Sequence, residues 1–198
     1  MLLSNTKIKE AIDDGRLLIE PLHECKFDAT AINLTLSPTI QVPIAKFPTA
    51  IRFGHGSITD MLEQSSTEHF ITNQQPFELK PNTFVLAASE QVVWFRGPGE
   101  RMSSWNNKPV LAGRVEGKSS YARMGLLVHF TAPIIHNTFK GRITLEMMNL
   151  GVYPIMLTLD RPICQLLVEE VLGDPTDYTS NFPGQQRPAG TGKSASES

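Results

Sequence analysis

Short segments in which apolar and polar residues alternate recur along this chain, and this pattern constrains its fold most strongly. Residues 141–149, GRITLEMMN, are the clearest example. A period of two places Thr144 and Glu146 on one side of a strand and Ile143 and Leu145 on the other. Carboxylates are rarely buried without a partner or a task. We therefore expect the apolar side to face the core and Glu146 to project into a cleft.

Turn and capping residues divide the rest of the chain into similar short elements. Ser4 or Asn5 can cap a helix that runs to Asp13, after which a strand is expected. A Pro-Asn pair divides residues 77–95 into two strands around a turn. Regular short strands with few helices predict a mainly β fold, either a barrel or a double-sheet jelly roll.

The 198-residue length predicts one domain with a sizeable core. We assign residues 1–173 to the β domain and residues 174–198 to an arm or flexible tail, since the tail is rich in Pro, Gly, Ser and Gln. Within the domain, residues 47–66 are polar and contain glycines, and they are predicted to be an insertion loop.

The composition argues against several classes of function. A net charge of -2 offers no basic field for a nucleic-acid backbone. No apolar run reaches about 18 residues, so no membrane span is expected. Cys25 and Cys164 do not form a disulfide framework, which favours a reducing compartment. These features predict a soluble cytoplasmic protein.

Residues 112–119, AGRVEGKS, fit a loose form of the nucleotide-binding P-loop. That motif works because a strand delivers a glycine loop to a helix N-terminus within a βαβ unit. Here the chain returns to short strands within about a dozen residues, so a P-loop is not favoured. Lys118 remains a candidate phosphate contact in a different fold.

The histidines and cysteines do not indicate a metal site. Five histidines and two cysteines are scattered without the spacing of zinc ligands. The zinc-deaminase signature, H-x-E followed by P-C-x-x-C, is absent. His129, inside the sequence LLVHFTA, is predicted to be a core or interface histidine.

Ser119, Arg123 and Glu146 form a candidate catalytic constellation without a metal. Ser119 and Arg123 are four residues apart, so one helical turn would place them on one face. A carboxylate can take a proton from water while a hydroxyl and a guanidinium orient the water or substrate. The alternative is that Arg123 and Glu146 form only an ion pair, between strands or between subunits. The residue types alone do not distinguish this structural role from the catalytic one.

Four motifs follow one another between residues 113 and 166: G-[KR]-S-S-x-A-R-x-G-L, V-H-x-T-A, G-x-I-x-L-E, and P-I-x-L with I-x-Q-L. In this order they resemble the dCTP deaminase branch of the dCTP deaminase and dUTPase superfamily. The N-terminal IKEAIDDGRLLIEP resembles that branch as well, and FPGQQ at residues 182–186 is similar to a degraded form of its C-terminal arm.

The resemblance implies a fold, an assembly and a reaction. It implies a distorted β-barrel or jelly roll with a short helix near the active site, and a homotrimer with active sites between subunits. The implied reaction is zinc-independent deamination of dCTP to dUTP and ammonia, which feeds dUMP and dTTP synthesis, with Mg²⁺ carried by the triphosphate. The alternatives are a dUTP diphosphatase, a bifunctional enzyme, or a non-catalytic nucleotide-binding homologue.

The resemblance also assigns roles to residues. Glu146 falls where the family has its catalytic glutamate, which shuttles protons between water, ring N3 and the leaving amine. Ser119 and Arg123 match the residues that orient the water and stabilise the developing charge, and Ser120 is a substrate-binding position of the same motif. The backbone around Ala132 matches the loop that contacts the cytosine edge and the water.

Three further positions match residues that bind the substrate's phosphates or close over it. Lys118 stands where the family usually has a phosphate-binding arginine; lysine keeps the charge but loses the bidentate fork. Gln165 matches a glutamine near the phosphates, and Gln185 matches one in the closing arm.

Two departures from the family pattern affect these expectations. After T-A the family has an aspartate that contacts the sugar 3′-hydroxyl, and this chain has His136 there. A histidine can bind a hydroxyl but cannot act as a carboxylate base, so we expect dUTP to accumulate without further hydrolysis. In the arm, Asn181 and Phe182 replace a Lys-Tyr pair, and Arg187 is a candidate for the lost charge.

Overall fold

The structure is a computed structural model that describes residues 1–44, 58–100, 102, 105, 108–173, 175–176 and 184–188, with the backbone alone at 58–60. Its helices are α1 (Asn5–Asp13), α2 (Ile58–Gln64) and α3 (Ser119–Ala122). Its strands are β1 (Leu17–Glu20), β2 (Lys26–Phe27), β3 (Ile32–Thr35), β4 (Thr39–Pro43), β5 (Ser66–Phe70), β6 (Phe77–Leu79), β7 (Phe84–Phe95), β8 (Leu111–Gly117), β9 (Leu126–Leu127), β10 (Ile134–Ile135), β11 (Lys140–Asn149), β12 (Ile155–Leu157) and β13 (Pro162–Glu170).

The N-terminal helix has the boundaries expected from its capping residues. The Ser4 side chain accepts a hydrogen bond from the backbone N–H of Lys7, which satisfies one free donor of the first turn. Ile8 and Ala11 are buried on the face that meets the core. The helix ends before Gly15, which adopts a φ of +79° that favours glycine.

The strands form two larger antiparallel sheets and one small one. The first sheet has the order β5-β4-β7-β11-β9, with β1 also paired to β7. The second sheet has the order β10-β8-β13-β3-β2, and β12 pairs with β6. The prediction of a mainly β fold is confirmed. Among the described residues the strands make two open jelly-roll-like sheets and no closed barrel.

One hydrophobic core contains residues of both larger sheets. In β11 the predicted alternation is confirmed, since Ile143, Leu145 and Met147 are at most 2% exposed while Thr144 and Glu146 are only half-buried. Burial of one such apolar side chain stabilises the fold by ~2 kcal/mol. The core thus determines which face of β11 carries the carboxylate.

A buried side chain also joins the two sheets. Gln91, in β7 of the first sheet, accepts a hydrogen bond from the backbone N–H of Thr35, in β3 of the second sheet, at 3.0 Å. Its Nε2 donates to the Thr35 hydroxyl at 3.1 Å. Because a buried amide must find its partners within the protein, this pair holds the sheets in one relative position.

One segment differs from the sequence-based prediction. The predicted insertion loop at 47–66 contains α2 and the first residue of β5, and residues 45–57 lie outside the described part. Apolar residues at 58, 61 and 62 recur with helical spacing, a signal that their polar neighbours obscured.

In the tail, residues 184–188 pack on β11. No helix among the described residues is long and apolar enough to cross a membrane.

Candidate active site

Glu146 lies in the middle of β11, on the side that faces away from the core. It pairs in register with Leu86 of β7, and its Oε2 accepts a hydrogen bond from the backbone N–H of Phe130 at 3.4 Å. Thr144 lies on the same side of the strand. The carboxylate is half-buried, so it is supported by the protein while remaining accessible to a ligand.

The serine and arginine of the predicted constellation lie on one helical turn, as expected. The turn is α3, which follows β8 directly, and the backbone N–H of Arg123 donates to the Ser119 carbonyl at 3.2 Å. Both residues are exposed, as is Ser120 on the same turn. The second sheet therefore delivers this turn to the surface.

A close backbone contact fixes α3 relative to the end of β11. Gly125 follows the helix with a φ of +93°, and a Cβ there would lie 2.2 Å from the backbone nitrogen of Gly151. The backbone N–H of Leu150 donates to the Gly125 carbonyl at 2.8 Å. The contact requires glycine at Gly125 for both its conformation and its lack of a side chain.

Within the described part of the chain, Ser119 and Arg123 make no hydrogen bond or ion pair with Glu146. An ion pair between Arg123 and Glu146 of one chain, the alternative weighed above, is therefore absent there. Both residues of the α3 turn keep their polar groups available to a ligand or to a second copy of the chain.

The loop around Ala132, residues 128–133, connects β9 to β10. It contacts Glu146 at one end and β8 at the other. At one end Phe130 donates its N–H to Glu146, and its ring packs edge-on against Phe84 with centroids 5.5 Å apart. At the other end the carbonyl of Pro133 accepts from the N–H of Val115 at 2.9 Å. Ala132 itself is exposed, so its backbone groups can meet a ligand beside the carboxylate.

The two candidate phosphate-binding side chains converge on one carboxylate. Gln165 donates from Nε2 to Oδ2 of Asp28 at 2.7 Å, and Nζ of Lys118 lies 3.6 Å from the same oxygen. Lys118 also donates to the side-chain oxygen of Asn33, the cross-strand partner of Gln165. Hydrogen bonds from Asn33, Gln165 and Lys118 hold the pKa of Asp28 below its usual value.

Sequence reasoning missed both Asp28 and Asn33. Asn33 is 4% exposed, and it is a polar residue inside the apolar run of β3. That is the same signal that identified Glu146. Asp28 lies outside the regular strands, so no periodic pattern marks it, and only the pairing of β13 with β3 brings it to Gln165.

Residues 136–138 begin at His136, where the chain departs from the family pattern. They follow β10 of the second sheet and include a strained backbone position. His136 is exposed and follows β10, whereas Asn137 is 8% exposed and its Nδ2 has no hydrogen-bond partner among the described residues. Thr138 adopts a φ of +74°, a conformation that costs ~1 kcal/mol or more for a residue with a branched side chain. Strain of this kind is typical of functional segments.

A short piece of the tail lies against β11. Gln185 is 7% exposed, and its carbonyl accepts from the backbone N–H of Arg142 at 2.8 Å. The Pro188 carbonyl accepts from the Thr144 hydroxyl at 3.1 Å, two residues before Glu146. Gly141 permits this packing, since a Cβ there would lie 2.6 Å from the Gln185 carbonyl oxygen.

Asn181 and Phe182, which replace the Lys-Tyr pair of the family, lie outside the described residues. Arg187, the candidate for the lost charge, is exposed.

His129 is half-buried, and its Nδ1 has no hydrogen-bond partner among the described residues. Its Nε2 is 3.7 Å from Oε2 of Glu116, and Glu116 is 3.5 Å from Arg114. No group of three or more His, Cys, Asp or Glu residues in the described part is arranged to hold a metal ion. The P-loop interpretation of residues 112–119 is excluded, because β8 lies in an antiparallel sheet and α3 has only four residues.

A family model described as dCTP deaminase-like matches residues 2–171. The chain belongs to the dCTP deaminase-like family. The resemblance inferred from the four ordered motifs is thereby confirmed, and Glu146, the α3 turn and the Ala132 loop all lie within the matched region.

Individual proteins show the same similarity. A protein of Streptomyces avermitilis named dCTP deaminase, dUMP-forming, is 34% identical over 197 residues, covering 95% of this chain and 93% of that protein. A protein of the same name from Methanobrevibacter smithii is 30% identical over 184 residues, covering 92% and 86%. The crystal structure of 2′-deoxycytidine 5′-triphosphate deaminase from Agrobacterium tumefaciens has the same fold, with a TM-score of 0.59 at 15% identity over 86% of this chain and 48% of that one.

Proposed function

We propose that this dCTP deaminase-like chain deaminates dCTP hydrolytically, with Glu146 as the proton carrier. The observation that carries the proposal is the position of Glu146. Its carboxylate is half-buried beside the Ala132 loop, on the outer face of a strand whose other face is core. Family membership and the names of the relatives support dCTP as the substrate.

The chemistry requires one carboxylate that accepts and returns protons. Glu146 takes a proton from water as the water oxygen bonds to C4 of cytosine, and the proton is passed to ring N3. Glu146 then takes the proton of the new C4 hydroxyl and delivers it to the exocyclic amine. The C4–N bond breaks, ammonia leaves, and the C4 oxygen becomes the carbonyl of uracil. General acid–base catalysis of this kind contributes roughly 10²–10⁴-fold in rate.

The water and the developing charge need partners that the single chain does not bring to Glu146. We assign these tasks to Ser119 and Arg123 of a neighbouring copy in a homotrimer. Their exposure on the α3 turn, and the absence of a contact with Glu146 within the described chain, support this assignment. A serine hydroxyl orients the water, and a guanidinium stabilises negative charge on the reacting oxygen.

The remaining candidates surround the rest of the nucleotide. Lys118 and Gln165 are assigned to the triphosphate, which enters with its Mg²⁺, and the backbone at Ala132 is assigned to the cytosine edge. Ser120 and His136 are both exposed, and His136 is assigned to the sugar hydroxyl. Gln185, held on β11 near Thr144, belongs to the arm that covers the nucleotide.

A second candidate function concerns the product. The relatives are named dUMP-forming, which favours deamination followed by cleavage of dUTP to dUMP and pyrophosphate. His136 in place of an aspartate favours release of dUTP, because an imidazole does not supply the negative charge of a carboxylate base. Deamination is common to both candidates.

One experiment separates these outcomes. Purified protein is incubated with dCTP and, separately, with dUTP, and the products are resolved by anion-exchange chromatography. Conversion of dCTP to dUTP supports deamination alone, and dUMP from both substrates supports the bifunctional enzyme. Any dUMP that the identically prepared Glu146→Gln protein forms from dUTP measures contaminating phosphatase. Binding of dCTP without any conversion by the wild-type protein would contradict the proposal and indicate a non-catalytic nucleotide-binding homologue.

A further inference from the structure

An anion of the protein itself already occupies the candidate phosphate site. Oδ2 of Asp28 accepts the hydrogen bond from Nε2 of Gln165 at 2.7 Å and lies 3.6 Å from Nζ of Lys118. The Asp28 side chain is 50% exposed and that of Lys118 is 23% exposed, so both can be reached from solvent. The carboxylate oxygen stands where an oxygen of a phosphate would meet the same donors.

The donors that hold Asp28 are few, and they are positioned by the sheet. Gln165 lies between Asn33 of β3 and Glu116 of β8 in a cross-strand row, and Lys118 is held by Asn33. A phosphate that binds to Lys118 and Gln165 brings a second anion beside the Asp28 carboxylate, and the like charges repel. Phosphate binding therefore competes with the contacts of Asp28 to these two donors.

We propose that Asp28 is an internal competitor that binds the donors assigned to the phosphates and lowers the affinity for the triphosphate. This inference rests on the proposed function, because that proposal assigns Lys118 and Gln165 to the phosphates. Asp28 therefore weakens binding without entering the reaction at Glu146. It also favours substrates with several phosphate charges, which displace a single carboxylate more readily than one phosphate does.

A positioning role for Asp28 predicts the opposite change in triphosphate affinity. If Asp28 served mainly to hold Lys118 and Gln165 in position, removal of its charge would weaken triphosphate binding. The low pKa of Asp28 is compatible with both roles, since it reports only that the carboxylate is stabilised by its donors. The sign of the change in affinity therefore decides between them.

The test replaces Asp28 by Asn, which keeps the shape and can still accept from Gln165. We expect the KM for Mg-dCTP, and the Kd for Mg-dCTP and for inorganic tripolyphosphate by calorimetry, to fall roughly two- to tenfold. The kcat should stay unchanged. Asp13→Asn is the matched control, because Asp13 is exposed at the far end of α1 and removal of its charge should alter none of these constants.

A double-mutant cycle tests whether the gain in tripolyphosphate affinity depends on Lys118. In a Lys118→Met background, Asp28→Asn should strengthen tripolyphosphate binding by a smaller factor than it does in the wild type. An unchanged or higher Kd for Asp28→Asn, with its melting temperature within the range of the Asp13→Asn control, would overturn the inference. So would a fall in kcat of the same size as the change in KM.

The two proposals fail in different ways. Absence of dCTP turnover in the wild type contradicts the proposed function, while the tripolyphosphate measurement still tests Asp28. Wild-type turnover without any gain from Asp28→Asn contradicts only the inference about Asp28. If Asp28→Asn fails to fold, Asp28→Ser provides the same loss of charge with a smaller side chain.

Discussion

The backbone N–H of Phe130 donates to Oε2 of Glu146 at 3.4 Å, so the loop that precedes Ala132 is tied to the carboxylate strand. The same loop is joined to β8 of the second sheet through Pro133 and Val115. One loop thus connects the strand that carries Glu146 with the second sheet. A change in the relative position of the sheets would alter the surroundings of the carboxylate.

Glu146→Gln should abolish turnover and leave the fold intact. Glutamine keeps the size and can accept from the Phe130 N–H, but it cannot carry a proton, so kcat should fall by roughly 10²–10⁴-fold. Steady-state assays with dCTP measure the loss, and calorimetry with dCTP checks that binding is retained. Thr144→Val, on the same face of β11, is the control for a change of polarity beside the carboxylate. Near-wild-type activity of Glu146→Gln would end the proposed mechanism.

Subunits that are defective in different residues should restore activity when mixed. If Arg123 acts on the Glu146 of a neighbouring copy, trimers that contain both Arg123→Ala and Glu146→Gln chains include some sites with both intact residues. Refolding the two variants together and assaying deamination measures this recovery, with each variant refolded alone as the control. Mixed oligomers that are verified by mass spectrometry and yet remain inactive would place the site within one chain.

Gly125→Ala should destabilise the protein far more than Gly173→Ala. Both glycines have positive φ values, +93° and +84°, so the conformational strain of the substitution is similar. A Cβ at Gly125 meets the Gly151 backbone at 2.2 Å, whereas a Cβ at Gly173 has no atom of the described residues within 4 Å. We expect Gly125→Ala to lower the free energy of unfolding by at least about 2 kcal/mol more than the control, measured by urea denaturation. Equal losses would show that the close contact contributes nothing.

Asp14→Asn should lower the free energy of unfolding at neutral pH by about 3 kcal/mol. Asp14 is mostly buried and bonds to Nε of Arg16 at 3.1 Å and to Nζ of Lys108 at 2.9 Å. Burial alone would raise its pKa, but hydrogen bonds from Arg16 and Lys108 outweigh burial and hold the pKa below 3.8. The carboxylate therefore stabilises the fold above the unfolded pKa, and this contribution is lost as the pH falls through the lower folded pKa.

Denaturant unfolding between pH 7 and pH 3 measures this dependence. The difference between wild type and Asp14→Asn should narrow only at the acid end of the range. Asp13→Asn serves as the control, since its side chain is exposed and the loss of its charge should change stability by less than about 0.5 kcal/mol. A gap of constant size down to pH 3 would show that the ionised form of Asp14 contributes little.

The local elements were largely predictable because each depends on neighbours in the sequence. The capping by Ser4 and the end of α1 near Gly15 follow from chain-local hydrogen bonds and backbone conformation. The outward position of Glu146 follows from the two-residue period of β11. The order of the four motifs pointed to the family that the family model confirms. The helix α2 was missed, since a short apolar pattern among polar residues resembles a loop.

The sequence by itself determined the class of fold, the family, and the residue types available for chemistry, because periodicity and motif order are properties of the linear chain. Only the tertiary structure decided which side chains meet. Asp28 reaches Gln165, 137 residues away in the chain, through the pairing of β13 with β3. Gly125 meets Gly151 because β9 pairs with the end of β11. Such contacts depend on strand register and sheet packing, which balance the free energies of the whole core, and no local pattern specifies them.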